Sequence, residues 1–130
     1  GADAVQVGSR FVASTESSAH DAFKNVVVDA KEGDTQLTLK ELAPVRLIKN
    51  KFFNDLQDLY KKAPTVEDLK LLLGRARAKR GMFEGDLEDG ELEIGQIAGL
   101  IHDIKPTAQI VEDLITEFKL AQKQAQQIVV

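Results

Sequence analysis

The stretch GADAVQVGSRF at residues 1–11 constrains this chain most, because it reads as a single buried β-strand ending in a glycine-serine turn. Ala4, Val5 and Val7 form a short apolar run, the pattern of a strand covered on both faces. Gly8 lets the backbone approach a ligand closely, and Ser9 adds an N–H and a hydroxyl able to hold a phosphate oxygen. A parallel strand needs neighbours supplied by crossover units, and no second strand-helix unit follows this one. The expectation is therefore the C-terminal piece of a larger α/β protein, starting at its last strand. One alternative stays open: a compact helical domain, a non-catalytic binding module without cofactor, in which residues 2–11 are an extended arm.

Composition narrows the function classes. A chain of 130 residues buries roughly two-thirds of its unfolded surface, enough for one real core. A formal charge of −4 argues against a nucleic-acid partner, which would need a basic face. It leaves room for a local phosphate site, because such sites rely on backbone N–H groups. Cysteine is absent, which excludes disulfide and thiolate chemistry here and suits a cytoplasmic protein. No apolar run reaches the ~18 residues of a membrane span, so no membrane partner is expected.

Helices dominate the rest. Ser18 and Asp21 have the spacing of a capping box for a helix carrying Ala22, Phe23, Val26, Val27 and Ala30, with Gly33 as its stop. Residues 35–39 and 43–46 read as extended, the second because Pro44 keeps Ala43 out of helical geometry. A helix from Asn50 carries Phe52, Phe53, Leu56, Leu59 and Tyr60. Another opens at Thr65, with Asp68 three residues on, and stops at Gly74. Shorter helices are expected over 75–82 and 94–104. A last one begins at Pro106, with Ile110, Val111, Leu114, Ile115 and Phe118 as its buried face. The Gln-rich residues 121–130 are expected to fray.

Three stretches carry a family likeness: GADAVQVGSRFVASTESSAH at 1–20, PVRLIKNKF at 44–52 and GMFEGDLEDGELEIGQIAGLI at 81–101. Together they resemble the nitronate monooxygenases, formerly 2-nitropropane dioxygenases, and the related flavin-dependent enoyl-acyl carrier protein reductases. The resemblance implies an α/β fold: the C-terminal fragment of a (β/α)₈ TIM barrel, locally mostly α. Residues 1–11 would be the final strand and phosphate turn, 17–120 the helical region and 121–130 a tail. A complete barrel takes about 250 residues, so about half would lie outside this sequence. The family's usual catalytic histidine would lie there too.

The resemblance also implies FMN as cofactor and a small-molecule substrate, a nitronate or an enoyl thioester, with room for an oligomer. Gly8 and Ser9 would hold the flavin phosphate, and Gln6 would add a contact from the strand end. No catalytic residue is expected within the chain, which alone would be inactive. His20 and His102 read as structural or surface residues, and no spacing supports a transition-metal site. The basic run RARAKR at 75–80 lacks the aromatic platforms of a nucleic-acid groove and is expected to meet the acidic residues after it. The loop from Glu84 to Gly90 lacks the ligand order of a calcium loop, because Gly85 stands where the first acidic ligand belongs. Gly95-Gln96 is a second-rank candidate for the flavin-facing mouth.

Overall fold

The computed structural model describes residues 3–127; Gly1 and Ala2, with residues 128–130 of the tail, lie outside the described residues. In chain order the elements are α1 (Ser9–Val12), α2 (Asp21–Asp29), β1 (Thr35–Thr38), β2 (Val45–Ile48), α3 (Lys51–Tyr60), α4 (Val66–Leu73) and α5 (Arg77–Met82). A 3₁₀ turn (Gln96–Leu100) and α6 (Thr107–Gln126) complete them. The fold is mixed α/β, with one small sheet amid helices.

Of the strand expected at residues 1–11, the structure corrects the end, where Ser9–Val12 is helical, and the described residues contain no partner strand for the rest. Residues 3–7 form an exposed arm without ladder pairing, and the chain from Ser9 is already helical. Val5 is 82% exposed and Val7 39%. An apolar run becomes a strand only when another strand accepts and donates its hydrogen bonds, and no described segment does so.

The sheet forms instead from the two stretches read as extended. β1 and β2 pair antiparallel with Thr35 opposite Ile48 and Leu37 opposite Arg46. Residues 92–94 flank the other side of β2: Ile48 N–H donates to Leu92 O at 2.9 Å, and Ile94 N–H to Arg46 O at 3.1 Å. This third rung replaces the start of the helix expected over 94–104, which shrinks to the 3₁₀ turn. Gly95 and Gly99 weaken helix formation there. Gly99 also meets the backbone of residues 31–32, where an added Cβ would sit 3.2 Å from Glu32 N.

Phe23, Val27, Ile48, Leu92, Ile94, Ala98 and Ile101 form the main core, and Leu39, Leu56 and Leu69 a second cluster. Caps set the helix starts. Thr65 and Asp68 form the expected capping box, with Gly74 closing α4 at φ +66°. The α2 cap is His20, not Ser18: its Nδ1 accepts from Ala22 N–H at 3.1 Å. Ser18 loses the position because Ser17 turns the chain first, its hydroxyl accepting from Ala19 N–H. α2 also ends at Asp29, short of Gly33.

α5 packs on the acidic loop as expected. Lys79 pairs with Glu84 and Arg80 with Asp86, while Arg77 donates to Asp89 O and covers the Phe52 ring at 4.5 Å. Glycine permits this packing, since a Cβ on Gly90 would lie 2.3 Å from Gly81 Cα.

Two expectations about the last helix are corrected. α6 continues through Gln126, so residues 121–126, expected to fray, are helical, and residues 128–130 lie outside the described residues. Of its apolar face only Ile110 is buried; Val111, Leu114, Ile115 and Phe118 are 38–67% exposed. Their spacing calls for cover, and the described residues supply none beyond Ile110.

Candidate functional site

The Gly8-Ser9 turn sits at the start of α1, braced from two directions. Ser9 Oγ accepts from Gly95 N–H at 2.9 Å, joining the turn to the start of the 3₁₀ segment. Arg10 donates to Asp103 O at 2.9 Å and pairs with the Asp103 carboxylate. Further along, Thr15 N–H donates to Lys105 O at 3.1 Å, and Glu16 accepts from Thr107 N–H at 2.9 Å. These Thr107 bonds hold the Glu16 carboxyl at about 2, and those to Lys105 and Arg10 hold Asp103 below the ordinary carboxylate range. The first turn is thereby fixed against the entry to α6.

The chemistry of the turn follows from this bracing. A hydroxyl has one proton and two lone pairs. With one lone pair on Ser9 engaged by Gly95 N–H, its proton stays available to an acceptor. Gly8 is exposed, and a Cβ built on it would meet nothing within 4 Å, so the space beside the turn is open. Backbone N–H groups at a helix start lack intrahelical partners and suit an anion. Arg10 is committed to Asp103 and adds positive charge nearby without being free to swing.

The structure thus brings Gly8, Ser9 and the second-rank pair Gly95-Gln96 together across 86 residues of chain. Gln6 stays apart, exposed on the arm. Against an FMN phosphate, Gly8 and Ser9 fit: an uncluttered backbone and a hydroxyl with a proton to give. His20 caps α2 and lies against Gly85, while His102 is exposed. Among the described residues, no three His, Cys, Asp or Glu side chains gather as a metal site would require, and no helix is long and apolar enough to cross a membrane.

Two residues escaped the sequence reading. Glu91 is 7% exposed, and burial together with the Glu93 charge pushes its carboxyl up to about 7, with Arg77 opposing. Arg46 projects from β2 into an open cleft of about 370 Å³ shared with Gln96 and Glu32. Both lie within the stretches that carry the family likeness, but their settings come from tertiary neighbours: Glu93 and Arg77 for Glu91, Thr35 and Gln96 for Arg46.

Residues 1–117 match the nitronate monooxygenase family, and the chain belongs to it. Its solved relatives include FabK from Thermotoga maritima, 38% identical over 99% of this chain with a TM-score of 0.86. A mutant of the same FabK matches at 37% identity, again over 99% of this chain, with a TM-score of 0.81. The chain spans about two-fifths of their length, 41% and 38% respectively.

Proposed function

We propose that this chain forms part of a flavin-dependent oxidoreductase that oxidises nitronates with oxygen, using FMN. In this reading Gly8 and Ser9 anchor the flavin phosphate, Gln6 adds a contact from the arm, and the helical region walls the site. The observation that carries it is the Ser9 hydroxyl, fixed by Gly95 N–H at 2.9 Å beside the open face of Gly8 with its proton left to donate. Family membership over residues 1–117 supports the flavin chemistry. The bound flavin supplies electron transfer between substrate and oxygen, while the protein supplies binding and orientation. The proton-moving residue would come from outside this sequence.

A second reading, reduction of an enoyl thioester, is favoured by the likeness to FabK, an enoyl-acyl carrier protein reductase. The two are separated by joining the chain to an upstream barrel portion and comparing nitronate-dependent oxygen uptake with enoyl-thioester reduction. In that protein Ser9→Ala should weaken FMN retention at least tenfold, the loss of one hydrogen bond to a charged group. Ser9→Thr should keep it. Unchanged flavin content in Ser9→Ala would refute the anchor, and a colourless full-length protein would refute the flavin reading.

A further inference from the structure

Arg46 has unusual surroundings for a cation in an acidic protein. It lies on the middle rung of the sheet, between Leu37 on β1 and the 92–94 segment, so its backbone is held from both sides. The side chain is half-buried. Its Nη1 donates to Thr35 O and Thr35 Oγ1, both at 3.2 Å. These acceptors are neutral, and among the described residues Arg46 forms no ion pair.

A guanidinium carries five N–H donors in a rigid fork suited to a two-oxygen planar anion. Thr35 uses the Nη1 end and orients the group, leaving donors for a ligand. The cleft beside it, about 370 Å³, is lined by Arg46, Gln96 and Glu32, with Ile97 and Leu100 as an apolar lip. Its size falls in the range of about 300–1,000 Å³ typical of small-molecule sites, and its lining has the usual mixture of apolar wall and few polar groups. Glu32 faces the same space but lies beyond ion-pair reach of Arg46, so it lowers the affinity for an anion without cancelling the cation. Ile97 is 54% exposed and Leu100 76%, an arrangement that costs apolar hydration unless something lies against them.

We infer that this cleft binds a small planar oxyanion carrying a short apolar substituent, the oxyanion on Arg46 and Gln96 and the substituent on Ile97 and Leu100. A short-chain carboxylate has that shape. The inference is independent of the flavin reading, because every residue it names lies within this chain.

The test is an NMR titration of the ¹⁵N-labelled chain at constant ionic strength, following Arg46 Nε–H and the Gln96 carboxamide. Sodium butyrate should give saturable shifts at both, inorganic phosphate weaker ones, and butan-1-ol none at Arg46. Arg46→Lys should weaken butyrate about tenfold, since an ammonium cannot offer the fork. Glu32→Gln should strengthen it. Absence of saturable shifts with butyrate in the unmodified chain would overturn the inference. So would phosphate binding more tightly than butyrate, or Arg46→Lys binding as well as the parent. All readouts are independent of catalysis and flavin, so they stand or fall apart from the oxidoreductase proposal.

Discussion

Helices α3 and α6 carry the same kind of pattern and meet different fates. In α3, Phe52, Phe53 and Leu56 are at most 3% exposed, because β2, α4 and the acidic loop close over them. In α6, Ile110 is 1% exposed while Phe118, two turns further on, is 67% exposed. Apolar spacing states that a face needs cover; it does not say what provides it. The contrast teaches that periodicity is a demand on tertiary structure rather than a report of it.

The comparison breaks most sharply at its aromatic residues. Phe52→Ala should destabilise the chain by about 3–5 kcal/mol in urea unfolding, since it empties a packed site and removes the ring under Arg77. A cost below about 1 kcal/mol would mean that α3 is no better anchored than α6.

The next effect is pH-dependent. Glu91 is raised to about 7 in the folded protein from an ordinary value of 4.5, so the folded state binds the proton more tightly than the unfolded state. Its burial therefore costs nothing below the ordinary value, and the penalty grows as pH rises from there through 7. Glu91→Gln should raise stability by about 2–3 kcal/mol at pH 8 and by under about 1 kcal/mol at pH 5. Denaturation curves at the two pH values measure it, and an equal effect at both would contradict a buried, proton-retaining carboxyl.

Thr65→Ala removes the α4 capping box and should cost about 1 kcal/mol, read from the denaturant midpoint. Phe118→Ala should shift stability by no more than about 0.5 kcal/mol, because the ring already faces water. A loss of several kcal/mol there would place the α6 face in a contact among copies of the chain, and a concentration-dependent midpoint would reveal it.

What was legible in the residues depended on range. The Thr65–Asp68 box, the stop at Gly74 and the meeting of the basic run 75–80 with the acidic residues after it act over short spans of chain, where spacing constrains geometry. Extended stretches around β1 and β2 were visible from alternation and Pro44, but their pairing register was not. His20 displaced Ser18 as a cap because Ser17 fixes the preceding turn, a competition among equivalent side chains that spacing does not rank. The apolar run at residues 4–7 was read as a strand on composition, yet a strand is a relation between two segments. Ser9 was legible as a candidate, whereas its bond to Gly95, 86 residues away, was not.

The sequence by itself determined family membership, the order of most helices and the residues of the phosphate-turn candidate, since these rest on local chemistry and on motif. Tertiary structure alone decided which apolar faces are covered, how Gly95 leaves the Ser9 proton available, and how Arg46 comes to face a cleft with no ion-pair partner among the described residues. The physical reason is that burial, hydrogen-bond direction and charge environment depend on neighbours brought together across the chain. No residue carries that information alone.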